Sequence, residues 1–229
     1  MSDFFKTKSQ FYLPEGMIYL DGNSLGPLPK KAQERIHHTL NKEWGEMLIT
    51  GWNKAGWMDQ PNKVGDRIAK LIGAASKTVT VGDTLSIKIF QALASATNYQ
   101  KKRKVLLTDS SNFPSDIYAA QGLVNMIQAD HELKIVSTDN LIENINENIA
   151  AVFFTEVDYK TGRRYDAKKI IKAAKQNGSL VILDLAHSAG AVDTNLTELD
   201  VDLAVGCTYK YLNGGPGSPA FIYVNPSLI

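Results

Sequence analysis

The sequence predicts an α/β fold, in which a mainly parallel β-sheet is sandwiched between helices. Apolar strand patterns alternate with helical patterns from residue 78 to the end of the chain. Several strands, such as residues 105–107 and 180–183, are continuous apolar runs rather than alternating ones. Such runs are typical of strands that are buried on both faces. A length of 229 residues with 44% hydrophobic residues allows one large domain of this kind.

Residues 1–72 are predicted to form an N-terminal arm with two helices. A short apolar run at residues 17–20 is followed by a turn-forming segment at residues 21–27. Pro29 opens a helical pattern, in which apolar residues recur at spacings of three and four. After an aromatic-rich loop at residues 51–61, a second helical pattern ends at Gly73 and contains Val64, Ile68, Leu71 and Ile72.

Residues 73–229 are predicted to form the main domain. Strands are expected at residues 78–81, 105–108, 133–136, 150–156, 180–185, 201–206 and 220–224. Helices are expected at residues 83–99, 115–127 and 167–176, with a polar helix after residue 136. No helix follows the last strand, so we expect one apolar flank of that strand to be exposed and the domain to be incomplete.

Composition and charge exclude several classes of protein. The 25 basic and 24 acidic residues leave a net charge of +1, which does not favour a nucleic-acid partner. The single cysteine, Cys207, excludes an internal disulfide framework. Residues 1–6 do not match a secretory signal, and no apolar run approaches the length of about eighteen residues that indicates a membrane span. We expect a cytoplasmic protein with no membrane partner and no metal site.

Two strand ends carry candidate ligand-binding residues, because reactive groups of a parallel sheet gather beyond the carboxyl ends of its strands. Residues 82–86 are small or hydroxylated and precede a helix, which suits a phosphate. An ordinary helix cap at Asp83 or Thr84 is the alternative. Phe113 precedes a proline at another strand end, where its ring could stack on a flat ligand or merely pack against the following helix.

Two further strand ends supply a carboxylate and a lysine. Asp184 ends a strongly apolar strand, where a carboxylate needs a partner; a cap or a salt bridge is the simpler interpretation. His187 follows three residues later and could equally be a core histidine. Lys210 lies between two tyrosines, 26 residues after Asp184. A lysine that forms a Schiff base and an aspartate that holds a pyridine nitrogen protonated are the two groups that pyridoxal phosphate requires.

Four motifs extend from near the N-terminus almost to the last residue. They are Tyr-Leu-Asp-Gly-Asn-Ser-Leu-Gly at residues 19–26, Asn-Phe-Pro-Ser-Asp at 112–116, Asp-Leu-Ala-His at 184–187 and Thr-Tyr-Lys-Tyr-Leu-Asn at 208–213. In this combination the chain resembles kynureninase, a pyridoxal-phosphate enzyme of the aspartate-aminotransferase-like fold, fold type I. The second and fourth motifs distinguish this family from the related cysteine desulfurases.

The resemblance implies a role for each matching residue. Lys210 would bind the cofactor covalently and carry the proton at the substrate α-carbon, and Tyr209 would contact the phosphate and donate a proton. Asp184 would face the pyridinium nitrogen, and Phe113 would stack on the ring. Other contacts would come from Leu85, Ser86, Asp116, Thr155 and His187 for the cofactor, and from Ser24 and Trp52 for the substrate.

The implied reaction is hydrolysis of L-kynurenine, or 3-hydroxykynurenine, to anthranilate, or 3-hydroxyanthranilate, and L-alanine. This reaction belongs to tryptophan catabolism by the kynurenine pathway and to NAD biosynthesis. Family members are longer homodimers, so we expect residues 1–72 to belong to the small domain or interface, residues 73–229 to form an incomplete large domain, and the C-terminal small domain to be absent. An inactive remnant that at most binds pyridoxal phosphate, and another fold-type-I enzyme such as a cysteine desulfurase, remain alternatives.

Overall fold

The N-terminal part of the chain consists of short elements. A computed structural model describes residues 3–127 and 130–229. Two two-residue strands, β1 (Phe11–Tyr12) and β2 (Leu28–Pro29), pair antiparallel. The helices of this part are α1 (Phe4–Lys8), α2 (Lys30–His38), a π-helical turn (Thr39–Trp44) and α3 (Gly51–Lys54), with 3-10 turns at Leu48–Thr50 and Trp57–Asp59.

A seven-stranded sheet forms the centre of the molecule, which confirms the predicted α/β architecture. Its strands are β3 (Val79–Val81), β4 (Val105–Asp109), β5 (Glu132–Val136), β6 (Ile149–Thr155), β7 (Leu180–Asp184), β8 (Leu203–Gly206) and β9 (Phe221–Val224). They lie in the order β3-β9-β8-β7-β6-β4-β5. All neighbouring pairs are parallel except those that β9 makes with β3 and β8.

Helices cover both faces of the sheet, as the continuous apolar strands predict. On one face, α4 (Gln60–Leu71) and α7 (Ala167–Gln176) bury side chains such as Ile68 and Ile171 against the strands. On the other face, α5 (Leu85–Tyr99) and α6 (Pro114–Ile127) bury side chains such as Leu93 and Leu123. A one-turn helix, α8 (Leu196–Leu199), precedes β8. None of the helices described has the length and apolar character needed to cross a bilayer.

Two expectations about this domain are wrong. The segment after β5 forms two 3-10 turns, Thr138–Asn140 and Ile142–Asn144, in place of a polar helix. Asparagine side chains bond to nearby backbone there, for example Asn144 Nδ2 to the Asn140 carbonyl at 2.9 Å, which competes with a regular helix. The last strand is not left with an exposed flank, because β9 lies inside the sheet and buries Phe221 and Tyr223 in the α4-side core.

Candidate active site at the carboxyl ends of the strands

A cavity of about 320 Å³ lies where the parallel strands end and α5 begins. It brings together side chains that are far apart in the sequence, which the predicted sheet places at one edge. Its lining residues are Thr84, Leu85, Ser86, Phe113, Ser115, Asp184, Ala186, His187, Tyr209 and Lys210. The cavity therefore contains most of the residues that the sequence predicts for cofactor binding.

The first turn of α5 forms one wall of the cavity. Thr84 is the N-cap residue, and its Oγ1 accepts a hydrogen bond from the Ile87 N–H at 3.4 Å. The first helical bond is donated by the Lys88 N–H to the Thr84 carbonyl at 3.0 Å. The N–H groups of Leu85 and Ser86 thus precede the helical ladder and are available to a ligand. The helix cap does not block this turn for an anion, because the cap uses the Ile87 N–H and leaves those of Leu85 and Ser86.

A buried hydrogen-bond relay fixes the turn that carries Phe113. Asn112 Oδ1 accepts from the Phe113 N–H at 2.8 Å, and Asn112 Nδ2 donates to Thr108 Oγ1 at 3.0 Å. Thr108 Oγ1 in turn donates to the Phe153 carbonyl of β6 at 2.7 Å. Sequence reasoning missed Asn112 and Thr108. The signal available was an amide side chain in a turn directly after a buried strand.

Asp184 ends β7 with an incompletely satisfied carboxylate. Its Oδ1 accepts from the Ala186 N–H at 2.9 Å, whereas its buried Oδ2 has no hydrogen-bond partner among the described residues. Burial raises the pKa of Asp184 to about 6, against the opposing effects of the Ala186 N–H and the Lys210 charge. Because an unpaired buried carboxylate is unfavourable, this oxygen is suited to a donor that the chain itself does not supply.

Asp116 on α6 repeats this pattern nearby. It is fully buried, and its Oδ2 also has no partner within the described part of the chain. Burial, together with the neighbouring Asp184 charge, raises the pKa of Asp116 well above its ordinary value. Two neighbouring carboxyls whose pKa values are both raised form a site that a cationic group such as a protonated ring nitrogen would complement.

Lys210 and His187 are in direct contact. Lys210 Nζ lies 2.6 Å from His187 Nε2 and 5.7 Å from the centroid of the Phe113 ring. Burial lowers the pKa of Lys210, although the nearby acidic groups oppose this. Burial first, and then the Lys210 charge, lower the pKa of His187 to about 4. Both groups are thereby biased toward their neutral forms, and a lysine must be neutral to attack an aldehyde.

Tyr209 adds a phenol to the lining. Its ring centroid lies 5.6 Å from Lys210 Nζ, and burial raises its pKa to about 12. The phenol therefore stays protonated at neutral pH and can donate a proton or a hydrogen bond. The Tyr209 carbonyl accepts from the Gly26 N–H at 2.9 Å, and a side chain at Gly26 would overlap the Lys210 carbonyl oxygen. The arm thus packs tightly on the backbone of the lysine loop.

Four predicted site residues lie outside the cavity lining: the buried Asp116 described above, and Thr155, Ser24 and Trp52. Thr155 pairs with Asp184 across the sheet, but its Oγ1 donates to the Val157 carbonyl at 2.9 Å. Ser24 lies in the arm, where its N–H donates to the Asp21 carbonyl at 3.0 Å. Trp52 lines a separate cavity of about 850 Å³ and packs edge-on to Trp57 at 5.9 Å. Most of the predicted cofactor residues therefore line one cavity, whereas the two predicted substrate residues do not.

The chemistry of the lining fits pyridoxal phosphate. Free N–H groups at a helix start suit its phosphate, the unpartnered Asp184 oxygen suits a protonated ring nitrogen, and Lys210, whose pKa burial lowers, suits its aldehyde. By contrast, residues 3–127 and 130–229 hold no group of three or more His, Cys, Asp or Glu side chains that could bind a metal ion.

Comparison with known proteins supports the same fold. The structure superposes on a cysteine desulfurase, CsdA from Escherichia coli, with a TM-score of 0.82 at 17% identity, covering 100% of this chain and 59% of that one. A protein described as NifS-like gives a TM-score of 0.75 at 15% identity, over 91% of this chain and 59% of that one. At such low identities the likeness concerns the fold alone.

Sequence comparison gives more similar relatives. The kynureninase of Burkholderia mallei (strain SAVP1) is 47% identical over 95% of this chain and 53% of the relative. The kynureninase of Pseudomonas fluorescens is 47% identical over 96% of this chain and 54% of the relative. The chain thus spans about half the length of the curated relatives it matches. The Aminotransferase class-V family profile matches residues 18–227, nearly the whole chain, so this protein belongs to the Aminotransferase class-V family.

Proposed function

We propose that the chain carries the cofactor-binding half of a kynureninase, a pyridoxal-phosphate-dependent hydrolase that converts L-kynurenine, or its 3-hydroxy form, to L-alanine and anthranilate, or its 3-hydroxy form. The observation that carries the proposal is the shared cavity of Lys210 and the unpartnered carboxylate of Asp184. The 47% identity to kynureninases favours this reaction over others in the family. The proposal places the chain in tryptophan catabolism, the kynurenine pathway and NAD biosynthesis.

Lys210 would perform the proton chemistry. Pyridoxal phosphate, when bound, supplies an electron sink for negative charge at the substrate α-carbon. Lys210 Nζ has a lowered pKa, so it can be neutral and accept the α-proton. His187 Nε2, 2.6 Å away, can orient that amine and limit its approach to the cavity. The ring of Phe113, 5.7 Å from Nζ, offers a stacking surface at the same place.

Asp184 and Tyr209 would act on two different groups in the cavity. A protonated ring nitrogen next to Asp184 Oδ2 would give this oxygen the donor it lacks and would favour the ionised carboxylate. Tyr209, whose pKa is about 12, would hold a proton for the substrate β-carbon, which takes up a proton when its bond to the carbonyl γ-carbon is hydrolysed. Both roles depend on burial, which raises the pKa of Asp184 and of Tyr209.

An inactive remnant that at most binds pyridoxal phosphate is the second candidate. It is favoured by the positions of Ser24 and Trp52, which do not line the cavity. A cysteine desulfurase is a weaker third candidate. The one cysteine of this sequence, Cys207, is buried, and burial raises the pKa of its thiol, which is the opposite of what a nucleophilic cysteine needs.

We further propose that the functional form is a homodimer. The accessible surface is 13136 Å², whereas a compact chain of 25.2 kDa would expose about 10,300 Å². Much of the exposed apolar surface belongs to the arm, including Ile18, Leu20 and Ile49, at 83%, 86% and 76% exposure. A second copy could cover this surface. A cytoplasmic location is part of the same proposal and is consistent with the single cysteine.

A binding experiment tests the cofactor half of the proposal. Pyridoxal phosphate added to the purified chain should give a protein-bound absorbance band near the visible edge. Borohydride reduction should then fix the cofactor to Lys210, as located by peptide mass spectrometry. Lys210→Ala should abolish both signals, whereas Lys172→Ala, at an exposed position on α7, should leave both intact. Attachment of the cofactor elsewhere, or no attachment, would contradict the proposal.

A turnover assay separates the active enzyme from the remnant. Kynurenine is added to the cofactor-loaded chain, and anthranilate is followed by its fluorescence. Anthranilate formation that disappears in Lys210→Ala supports kynureninase activity of this chain and excludes the remnant. Cofactor binding without anthranilate supports the remnant. Release of sulfur from cysteine, with no anthranilate, would favour the desulfurase.

A further inference from the structure

Tyr159 touches both aromatic rings of the site, although neither sequence patterns nor the proposed mechanism use it. Its ring packs edge-on to Phe113, with centroids 4.9 Å apart and an interplanar angle of 69°. It also stacks on His187, with centroids 6.1 Å apart and an angle of 28°. Phe113 and His187 are themselves 6.3 Å apart, so the three rings form a closed cluster. Tyr159 lies outside the cavity lining and thus supports the other two rings from behind.

The loop that carries Tyr159 is fixed at several points. Asp158 Oδ1 accepts from the Lys160 and Thr161 N–H groups at 2.7 and 3.0 Å. Val157 and Arg164 form an antiparallel bridge across the loop. Arg164 Nη2 donates to Glu156 Oε1 at 2.8 Å, and Glu156 is only 1% exposed. These contacts hold the loop in one conformation at the edge of the site, which gives Tyr159 a defined position.

We propose that Tyr159 is a positioning residue, which holds the ring of Phe113 in its stacking orientation and the imidazole of His187 in contact with Lys210. The inference rests on the proposed function, because it assigns the two supported rings to the cofactor site. Edge-to-face and stacked aromatic pairs have preferred geometries, so one ring placed against two others restricts the tilt of both. His187 must keep a particular ring plane for its Nε2 to reach Lys210 Nζ at 2.6 Å.

The titration of His187 reports this support without the cofactor. Burial is the main reason that its pKa is about 4. The charged groups that face it are Lys210, which lowers the pKa, and Asp158, which raises it. Loss of the Tyr159 ring would admit water to one face of the imidazole. The pKa of His187 should then rise toward its ordinary value of 6.5.

The experiment compares Tyr159→Leu with Tyr159→Phe and with Tyr118→Leu, a tyrosine on α6 that is 67% exposed. In the cofactor-free chain, the His187 imidazole is titrated by NMR and assigned by its absence from His187→Gln. Tyr159→Leu should raise the His187 pKa by about half a unit or more. Tyr159→Phe keeps the ring and should restore the original titration, and Tyr118→Leu should not change it.

The second readout is the dissociation constant of pyridoxal phosphate, measured by tryptophan fluorescence. Tyr159→Leu should weaken binding about three- to tenfold, as expected for loss of an aromatic pair, with recovery in Tyr159→Phe to within about twofold. If the wild-type chain does not bind the cofactor, the proposed function fails, but the titration still tests the positioning role.

Unchanged His187 titration and unchanged cofactor affinity in a folded Tyr159→Leu chain would overturn the inference. If that variant does not fold, the wild-type chain decides the question through nuclear Overhauser effects between the Tyr159 ring and the His187 imidazole. Their presence supports the ring cluster, and their absence overturns it. Equal effects of Tyr159→Phe and Tyr159→Leu would also contradict it, since the phenol rather than the ring would then be responsible.

Discussion

The two regions of the molecule, residues 3–59 and residues 60–229 in its described part, differ in how far their apolar side chains are buried. In the second region most apolar residues of the strands and helices are buried on the two faces of the sheet, and Leu107, Phe153 and Val181 are fully inaccessible. In the first region the apolar residues are mostly at the surface, and Ile36 and Trp44 of the predicted helical stripe are 54% and 63% exposed.

This difference separates the two halves of the candidate site. The groups expected to hold the cofactor stand on strands and helix ends that the sheet core holds in place. Ser24 and Trp52, the expected substrate contacts, belong to the region whose apolar surface is uncovered. The residues proposed to hold the cofactor are therefore positioned by the sheet core, whereas the two residues proposed to contact the substrate lie in a region whose apolar side chains are mostly exposed.

The largest expected effect is a cavity in the core of the second region. Leu107 on β4 is fully buried and packs in the α4-side core. Leu107→Ala should lower the free energy of unfolding by about 2–5 kcal/mol, because it removes buried contacts and leaves a void. Urea denaturation followed by circular dichroism measures this loss. A loss below about 1 kcal/mol would mean that this core is less tightly packed than the structure shows.

A glycine pair tests whether α4 belongs to the sheet region. A side chain at Gly65 would overlap the Val79 carbonyl of β3, because α4 lies directly on that strand. Gly65→Ala should therefore cost about 1–3 kcal/mol in unfolding free energy. Gly122 lies in the middle of α6 with nothing within 4 Å of an added Cβ. Gly122→Ala should stabilise by about 0.5–1 kcal/mol. Equal effects would argue against the close contact of α4 with β3.

Asp184→Asn should stabilise the cofactor-free chain while weakening cofactor binding. The pKa of Asp184 is raised to about 6 from 3.8, so ionisation disfavours folding and the penalty grows between pH 4 and 6. Above pH 6 the whole penalty is present. Asparagine stays neutral, so at pH 8 the free energy of unfolding of the variant should be about 1–3 kcal/mol higher than that of the wild type. Below pH 4 the difference should disappear.

Paired denaturation curves at pH 8 and pH 4, with fluorescence titration of pyridoxal phosphate, measure both effects of the Asp184 substitution. The cofactor should bind at least about tenfold more weakly, because a neutral amide cannot stabilise a ring cation. A variant that is less stable at pH 8, or that binds the cofactor as tightly as the wild type, would show that Asp184 is a structural residue. Asp184 would then belong with the residues that stabilise the sheet core and not with those proposed to bind the cofactor.

The sequence pattern predicted the bounds of an element where its apolar residues repeat with the period of the face that the fold buries. The helix at residues 167–176 was predicted with the bounds that α7 has, because its apolar face repeats at helical spacing and Asn177-Gly178 ends it. Asp184 was found because a charged residue at the end of an apolar strand is unusual, and Lys210 because a Schiff-base lysine and such an aspartate are the two groups that pyridoxal phosphate requires. The contact between Lys210 and His187 depends on the pairing of β7 with β8, which no local sequence pattern contains.

What the sequence could not show are the contacts made by packing. Tyr159 has no distinctive spacing, and its place against Phe113 depends on the turn at Asp158. The position of β9 between β3 and β8 is equally non-local, and the exposed flank expected for the last strand was wrong for this reason. Ile18 and Leu20, in the apolar run at residues 17–20, are among the most exposed apolar residues described, which the run itself does not reveal.

The smallest expected effect on folding is that of Leu20→Ser, and it completes the contrast with Leu107. Leu20 is 86% exposed, so the serine variant should change the unfolding free energy by no more than about 0.5 kcal/mol. If a second copy covers the arm, the variant should nevertheless weaken self-association, which sedimentation velocity measures over a range of concentrations. Lys172→Ser, on the exposed side of α7, is the control and should change neither quantity.

If Leu20→Ser leaves the dimer unchanged, the interface lies elsewhere. A large loss of stability in a monomeric chain would show that Leu20 is covered by its own fold. Loss of association without loss of stability would show that the arm's apolar residues act between chains, as those of the sheet act within one.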